Sequence, residues 1–136
     1  PEPFLTYLEK LISRAEDQRA EVGLLLLEPR CGPRGPDTAL LGRLGREIQA
    51  SLEPGCQAGR LEPALFGVVL SGHPDNGLED ASLRDFCETA TTRFVAAGRW
   101  VDASITLRTA LAVFPHDGAR AKALLAAARA RMVGAG

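Results

Sequence analysis

The sequence has little cysteine and no long apolar run, and each shortage excludes a class of protein. The three cysteines, Cys31, Cys56 and Cys87, are an odd number and form no Cys-x-x-Cys pair. They therefore fit neither a disulfide framework nor a zinc site, and they predict a reducing, cytoplasmic environment. No stretch approaches the roughly 20 apolar residues of a membrane-spanning helix. We expect no membrane contact from this segment.

Net charge is also nearly absent. The chain has 16 basic and 17 acidic residues, a net charge of -1, so no overall field attracts nucleic acid. With 136 residues, 46% of them hydrophobic, it has the size and composition of one globular domain, 1–136. The Pro-Glu-Pro start favours a piece excised from a multidomain protein.

Helical periodicity and a short apolar run alternate in the first half of the chain. Apolar residues at helical spacing predict a helix over about 3–19. The continuous apolar run Val22–Leu27 predicts a strand buried on both faces. Glu28–Pro36 contains three prolines and two glycines, which predicts a loop. Asp37 or Thr38 is expected to cap the next helix.

The second half predicts a hairpin, two further helices and another strand. Cys56–Leu61 and Leu65–Leu70 flank Glu-Pro-Ala, a hairpin by their separation. The following helix is expected to end at Gly98, and Val101–Phe114 alternates as a strand before a last helix from Ala121. This order, αβαββαβα, predicts an α/β (α+β) fold with a mixed central sheet flanked by helices.

Three stretches carry a family resemblance: Leu24–Glu28, Arg60–Leu70 with the sequence RLEPALFGVVL, and Ile105–Pro115. In that order they resemble a first core strand, the signature R-L-G-G-D-E-F-A-V-L-L and a later strand of the GGDEF domain, the diguanylate cyclase module of bacterial signalling. The resemblance covers nearly the whole chain. It implies a nucleotide-cyclase-like fold with a ferredoxin-like core.

The resemblance also implies what the signature hairpin does in active members. Two glycines let the backbone approach the triphosphate of GTP, and acids bind divalent metal with the Asp that ends the first strand. Here Glu62 and Pro63 stand in place of the glycines. Ala64 and Leu65 replace the acids, while Phe66 keeps its apolar place. We therefore expect a degenerate hairpin and no enzyme activity.

Other functional positions implied by the resemblance are also changed. Glu28 replaces the first metal-binding Asp, and a lone carboxylate binds magnesium poorly. One metal shared by Glu28 and Glu62 is the alternative to two solvated carboxylates. The guanine-reading segment is shortened and rewritten as PRCGPRGPD, and Glu53 and Cys56 stand where the product-inhibition motif has its Arg and Asp. We expect no metal and no cofactor.

These substitutions predict a catalytically inactive domain that acts as a regulatory or protein-interaction module in cyclic di-GMP signalling. The expected partner is another protein or a neighbouring domain of EAL or PilZ type, and a homodimer is left open. Trp100 is the candidate interface anchor, although such a residue more often covers one end of the core. The alternative function is a non-catalytic sensor of GTP or cyclic di-GMP. Its candidate phosphate contacts are Arg30, Arg34 and Arg60.

Overall fold

A computed structural model of the chain describes residues 2–30, 36–52, 56–62, 64–71 and 83–134. Within these residues, helices and strands follow the predicted order αβαββαβα, and the predicted α+β class is confirmed. The helices are α1 (Glu2–Gln18), α2 (Thr38–Ala50), α3 (Leu83–Val101) and α4 (Ala121–Gly134). The strands are β1 (Val22–Arg30), β2 (Gln57–Glu62), β3 (Leu65–Ser71) and β4 (Thr106–Phe114).

The described strands form one sheet in the order β2-β3-β1-β4, and every neighbouring pair is antiparallel. This corrects the expectation of a mixed sheet. The helical connections join β1 to β2 and β3 to β4, and the strands of each pair do run parallel. One other strand lies between them, however, so no parallel neighbours arise.

The sheet separates two apolar layers, because successive side chains of a strand point to opposite faces. In β1, Leu24 and Leu26 belong to the layer with α1 and α4. Leu25 and Leu27 belong to the layer with α2 and α3. All four leucines are at most 2% exposed. The apolar run is therefore a strand buried on both faces, as predicted.

Carboxylates hold the starts of two helices. Asp37 caps α2 as predicted, because its Oδ1 accepts a hydrogen bond from the N–H of Leu40 at 2.8 Å. Glu9 of α1 accepts a hydrogen bond from the N–H of Ala121 and so ties α1 to the start of α4.

Within the part of the chain that the structure describes, no helix is long and apolar enough to cross a membrane.

The first strand is longer than the sequence predicts. β1 continues through Glu28, Pro29 and Arg30, where proline and glycine predicted a loop. The reason is that β3 pairs with β1 only as far as Leu27, whereas β4 pairs with it as far as Arg30. Pro29 therefore lies where β1 has one neighbour, a position that tolerates a residue without an N–H.

The third helix is also longer than predicted, and the strand after it is shorter. α3 continues through Gly98, which is buried and whose added Cβ would lie 3.5 Å from the side chain of Ile105. Val101 ends the helix instead of starting a strand. Asp102 then accepts hydrogen bonds from the hydroxyl and the N–H of Ser104, at 2.7 and 2.8 Å. These bonds lower the pKa of the Asp102 carboxyl below its usual value.

One outer edge of the sheet is closed by side chains. On β4, the N–H of Val113 donates to Asp117 at 2.8 Å, and Arg131 donates to the carbonyl of Leu111 at 2.5 Å. Asp117 and Arg131 also form an ion pair with each other, which raises the pKa of the Arg131 guanidinium. These two side chains are called the β4 clasp below.

Candidate functional site

The candidate site lies at the end of the sheet where β1 meets the β2–β3 hairpin. The last pair between β1 and β3 is Leu27 with Phe66, and Glu28 comes one residue later. β2 ends at Glu62 and β3 begins at Leu65, so the predicted hairpin is present. The end of the first strand therefore lies beside the signature stretch, as the resemblance implies.

Ala64 and Leu65, which stand where the resemblance implies acids, belong to the apolar interior. Leu65 is 5% exposed and packs in the layer with α1 and α4. Ala64 is half-buried against the layer with α2 and α3, to which Phe66 also belongs. Pro63 lies outside the described residues. Neither Ala64 nor Leu65 offers a side-chain oxygen to a cation.

Two arginines engage the carboxylate of Glu28. Its Oε1 lies 3.2 Å from Nε of Arg30 and 3.6 Å from Nη1 of Arg108. Arg108 reaches it because the register of β4 places Arg108 opposite Glu28. The same guanidinium donates to the carbonyl of Met132 in α4. Positive charge from the chain itself therefore lies where the resemblance implies a metal-binding Asp.

Glu62, the other candidate acid, has a different partner. Its Oε1 accepts a hydrogen bond from Nη2 of Arg129 in α4 at 3.0 Å. Glu62 and Glu28 therefore take part in separate ion pairs. Across the described ranges, no group of three or more His, Cys, Asp or Glu residues is arranged to hold a metal ion.

Arg108 and Arg129 are the site residues that the sequence prediction missed. In the sequence, Arg108 is one polar position of an alternating strand, and Arg129 is one of several basic residues on an alanine-rich helix. The signal for Arg108 exists only in the strand register: once Val113 is paired with Gly23, Arg108 falls opposite Glu28.

The candidate phosphate contacts lie in different places. The guanidinium of Arg60 lies 5.3 Å from the centroid of the Phe66 ring, on the sheet face that packs against α2. Arg30 forms an ion pair with Glu28. Both are even-numbered positions of β1, as are Leu24 and Leu26, whose side chains face α1 and α4. Arg34 lies outside the described residues. The structure thus places Arg30 and Arg60 on opposite faces of the sheet.

The position of the product-inhibition motif is described only in part. Cys56 is half-buried directly before β2, and Glu53 lies outside the described residues. At the neighbouring end of α2, Arg93 of α3 donates to the carbonyl of Ser51 at 3.3 Å. This hydrogen bond joins the end of α2 to α3 beside this position.

Trp100 projects from α3 into solvent. It is 82% exposed, so it does not cover an end of the core. Arg99 beside it is exposed, and Arg43 of α2 donates to the carbonyl of Val101 at 3.1 Å. Tryptophan with arginine neighbours is the composition of interface hot spots. The role of Trp100 as an interface anchor stays a prediction.

Two clefts lie on either side of β2. One of about 390 Å³ lies between β2 and α2, and the other, of about 400 Å³, lies between β2 and the start of α1. Ala58, Gly59 and Arg60 line both clefts. A larger cleft of about 700 Å³ lies between α1 and α4, next to the Glu9–Ala121 hydrogen bond.

No protein-family model and no curated protein sequence matches this chain. Solved structures do match it. A sensory box/GGDEF family protein from Caulobacter crescentus is 18% identical, with a TM-score of 0.75 over 97% of this chain and 90% of that one. The FimX GGDEF domain from Pseudomonas aeruginosa is 18% identical, with a TM-score of 0.73 over 98% and 86%. The diguanylate cyclase SiaD of Pseudomonas aeruginosa, solved with its activator SiaC, is 15% identical, with a TM-score of 0.76 over 98% and 53%.

The strand order β2-β3-β1-β4, with α1 and α4 on one face and α2 and α3 on the other, defines an α+β sandwich with a ferredoxin-like sheet. Within that class, the similarity to these structures shows that the chain has a GGDEF-like fold. The resemblance inferred from three sequence stretches is therefore confirmed for the fold.

Proposed function

We propose that this chain is a catalytically inactive GGDEF-like domain that serves as a regulatory or protein-interaction module in bacterial cyclic di-GMP signalling. The observation that carries the proposal is the engagement of Glu28 by Arg30 and Arg108. The expected parent is a cytoplasmic protein of the FimX kind, in which a degenerate GGDEF domain precedes an EAL domain.

The chemistry of magnesium supports the absence of turnover. Magnesium requires near-octahedral coordination by oxygen, keeps several waters, and is usually held by one or two carboxylates together with substrate phosphates. A cation at Glu28 would have to displace two guanidinium groups, and the neighbouring Ala64 and Leu65 would supply no further side-chain oxygen. The geometry therefore favours internal ion pairing over metal binding at this hairpin.

The exposed Trp100 supports the interaction role. Among the described residues, Trp100 is the one exposed large hydrophobic side chain, and tryptophan is enriched among the residues that dominate binding energy at interfaces. A relative in fold, SiaD, was solved in complex with a protein activator, so a GGDEF-containing protein can be regulated by protein contact. Here the neighbouring Arg43 and Arg99 would contribute polar contacts around the aromatic anchor.

Turnover is tested by incubating the purified chain with GTP and Mg²⁺ and separating the nucleotides by chromatography. We expect no cyclic di-GMP above an enzyme-free control, while an active diguanylate cyclase in the same buffer forms it. Appreciable conversion of GTP would overturn the proposal.

Calorimetric titration with cyclic di-GMP tests the sensor alternative. Binding of cyclic di-GMP in this titration would replace the interaction role with ligand sensing.

The interaction role is tested through the intrinsic fluorescence of Trp100, the single tryptophan of the chain. Titration with an isolated EAL domain, with an isolated PilZ domain and with the chain itself at rising concentration covers the three expected partners. Burial in an interface shifts tryptophan emission to shorter wavelength, and Trp100→Ala should weaken the same association in sedimentation. Unchanged emission in all three titrations would remove Trp100 as the anchor.

A further inference from the structure

We infer that the outer edge of β2 binds an extended, acidic peptide segment of a partner protein, which adds to the sheet as a further strand. This inference rests on the proposed role as an interaction module and specifies where and how a partner is held. The site is called the β2 groove: its floor is the edge of Gln57–Arg60, and its walls are the start of α1 and the side of α2.

The backbone of β2 directs unused groups into this groove. Antiparallel neighbours bond through alternate residues, so each residue turns its N–H and C=O to one side of its strand. Val113 of β4 turns its N–H away from the sheet. Because the bonding side alternates along each strand, the outward N–H of Val113 fixes which residues of β1, and then of β3, bond to each neighbour. By the pairing of β3 with β2, the backbone groups of Ala58 and Arg60 lie on the outer side of β2. They face the groove.

A second hydrogen bond leads independently to the same assignment. Gln49 of α2, which lies outside the sheet, donates from Nε2 to the carbonyl of Ala58 at 3.2 Å. Within the described residues, the N–H of Ala58 and both backbone groups of Arg60 form no hydrogen bond outside the sheet. An edge whose outward backbone groups are not bonded within the sheet is the template to which an extended peptide adds, and an added strand would take the place of the Gln49 amide at the carbonyl of Ala58.

The walls of the groove leave room for side chains on both faces of an added strand. Side chains of a strand alternate between faces, so successive peptide residues would enter the α2-side cleft and the α1-side cleft in turn. On the α2 side, a Cβ added to Gly42 would meet only the guanidinium of Arg46, at 3.7 Å. On the α1 side, Phe4 and Tyr7 form an aromatic wall. Arg60 lines both clefts, so an acidic side chain could be paired on either face of the added strand.

The charge of the groove selects an acidic partner. Arg46 and Arg60 line it, and no Asp or Glu is among those of its lining residues that the structure describes. In the part of the chain that the structure describes, neither guanidinium forms an ion pair, and Arg60 only stacks on Phe66. A second copy of the chain would bring two more arginines into the same groove. The like charges of these arginines would repel each other, whereas a carboxylate of a partner peptide would be attracted to the groove.

The inference is tested by panning a displayed library of random dodecapeptides on the chain and resynthesising the enriched sequences. We expect enriched peptides that combine Asp or Glu with β-branched or aromatic residues. A scan that methylates one peptide N–H at a time should weaken binding at every second residue, because only alternate N–H groups of an added strand face β2.

Substitutions in the chain locate the site. Gly42→Leu narrows the groove, and the pair Arg46→Glu with Arg60→Glu reverses its charge. Each should weaken binding by about tenfold or more. Gly42→Ala keeps the groove open and should retain binding. Ala96→Leu on the exposed side of α3 and Arg14→Glu on the exposed side of α1 make the same chemical changes outside the groove and are the matched controls. Thermal melting of each variant checks that it is folded.

Three outcomes would overturn the inference: no enrichment over a blank surface, equal sensitivity to methylation at all peptide positions, or binding unaffected by the groove variants. Stabilisation by GTP or cyclic di-GMP that is lost in Arg46→Glu would instead make the groove a nucleotide site. Conversion of GTP by the chain would overturn the proposed function but would not contradict binding of a peptide as an added strand. The two proposals can therefore fail separately.

Discussion

Strand β1 contains two regions that share a continuous backbone and little else. Val22–Leu27 is buried on both faces and pairs with strands on both sides. Glu28–Arg30 pairs on one side only, and its charged side chains form ion pairs with each other and with Arg108. The apolar region is what the GGDEF-like fold requires. The polar region is where the resemblance places a metal-binding Asp, and this chain has Glu28 there.

The comparison teaches that the residues that hold the sheet together are separate from the residues at the candidate site. Burial of the leucines stabilises the sheet whatever the hairpin carries. Glu28 is one-third exposed, and its ion pairs contribute far less than the leucines do. A sequence can therefore change at the hairpin while the sheet stays the same. The following predictions test this separation.

The largest effect is expected in the apolar region. Leu26→Ala leaves a cavity in a central strand where the side chain is 0% exposed, so we expect a loss of about 2–5 kcal/mol in the free energy of unfolding. Urea denaturation followed by circular dichroism measures it. The control is Leu11→Ala, at a half-buried position of α1, which should cost clearly less. Equal losses would contradict the burial that the structure assigns to β1.

A smaller effect is expected in the polar region. Arg108→Ala removes the cross-strand partner of Glu28 and the hydrogen bond to the carbonyl of Met132, for a loss of about 1 kcal/mol. A double-mutant cycle with Glu28→Gln measures the part that belongs to the ion pair. Mg²⁺ should stabilise neither the parent chain nor Arg108→Ala. A magnesium-dependent rise in melting temperature would show that Glu28 still belongs to a metal site.

The Glu62–Arg129 pair should matter still less. Both side chains are about half exposed, at 53% and 45%, so Glu62→Gln should change the free energy of unfolding by less than about 1 kcal/mol. Added salt should reduce the difference further. Arg129→Gln is the matched control, and the two substitutions together should cost no more than either alone. A large, salt-independent loss would give the hairpin a structural role that its exposure does not predict.

The smallest effect concerns Asp102, a partly exposed carboxylate held mainly by hydrogen bonds from Ser104. Because its pKa is lowered in the folded state, its contribution is present above the unfolded pKa and disappears as the pH falls through the folded pKa. Asp102→Asn should therefore show its stability difference from the parent chain at neutral pH and lose it in acid. Denaturation at a series of pH values measures this, and a difference that grows in acid would reverse the assigned sign.

The sequence was sufficient for the features that depend on periodicity. The leucines of β1, the cap at Asp37 and the separation of the hairpin strands are local patterns, and the structure has all of them. The ends of elements were harder. Pro29 remains in a strand because β3 stops before it, and Gly98 remains in a helix that packs against Ile105. Both outcomes depend on a neighbour that is distant in sequence.

The candidate site was predicted by residue type but not by contact. That Ala64 and Leu65 carry no metal-binding oxygen can be read from their identity alone. That Arg108 faces Glu28 depends on the register of two strands separated by most of the chain. The strand order likewise could not be read from the sequence, because two parallel crossovers are compatible with either adjacent or interleaved strands.

The β4 clasp has a consequence for how copies of this chain can assemble. Asp117 and Arg131 bind outward groups of Val113 and Leu111, so a strand adding to β4 could pair only along Thr106–Ala110 unless it displaced both side chains. The far edge of the sheet is therefore a shorter acceptor than the full length of β4. Edge-to-edge pairing of copies, the contact through which fibrils grow, is opposed at this end of β4 by side chains of the chain itself.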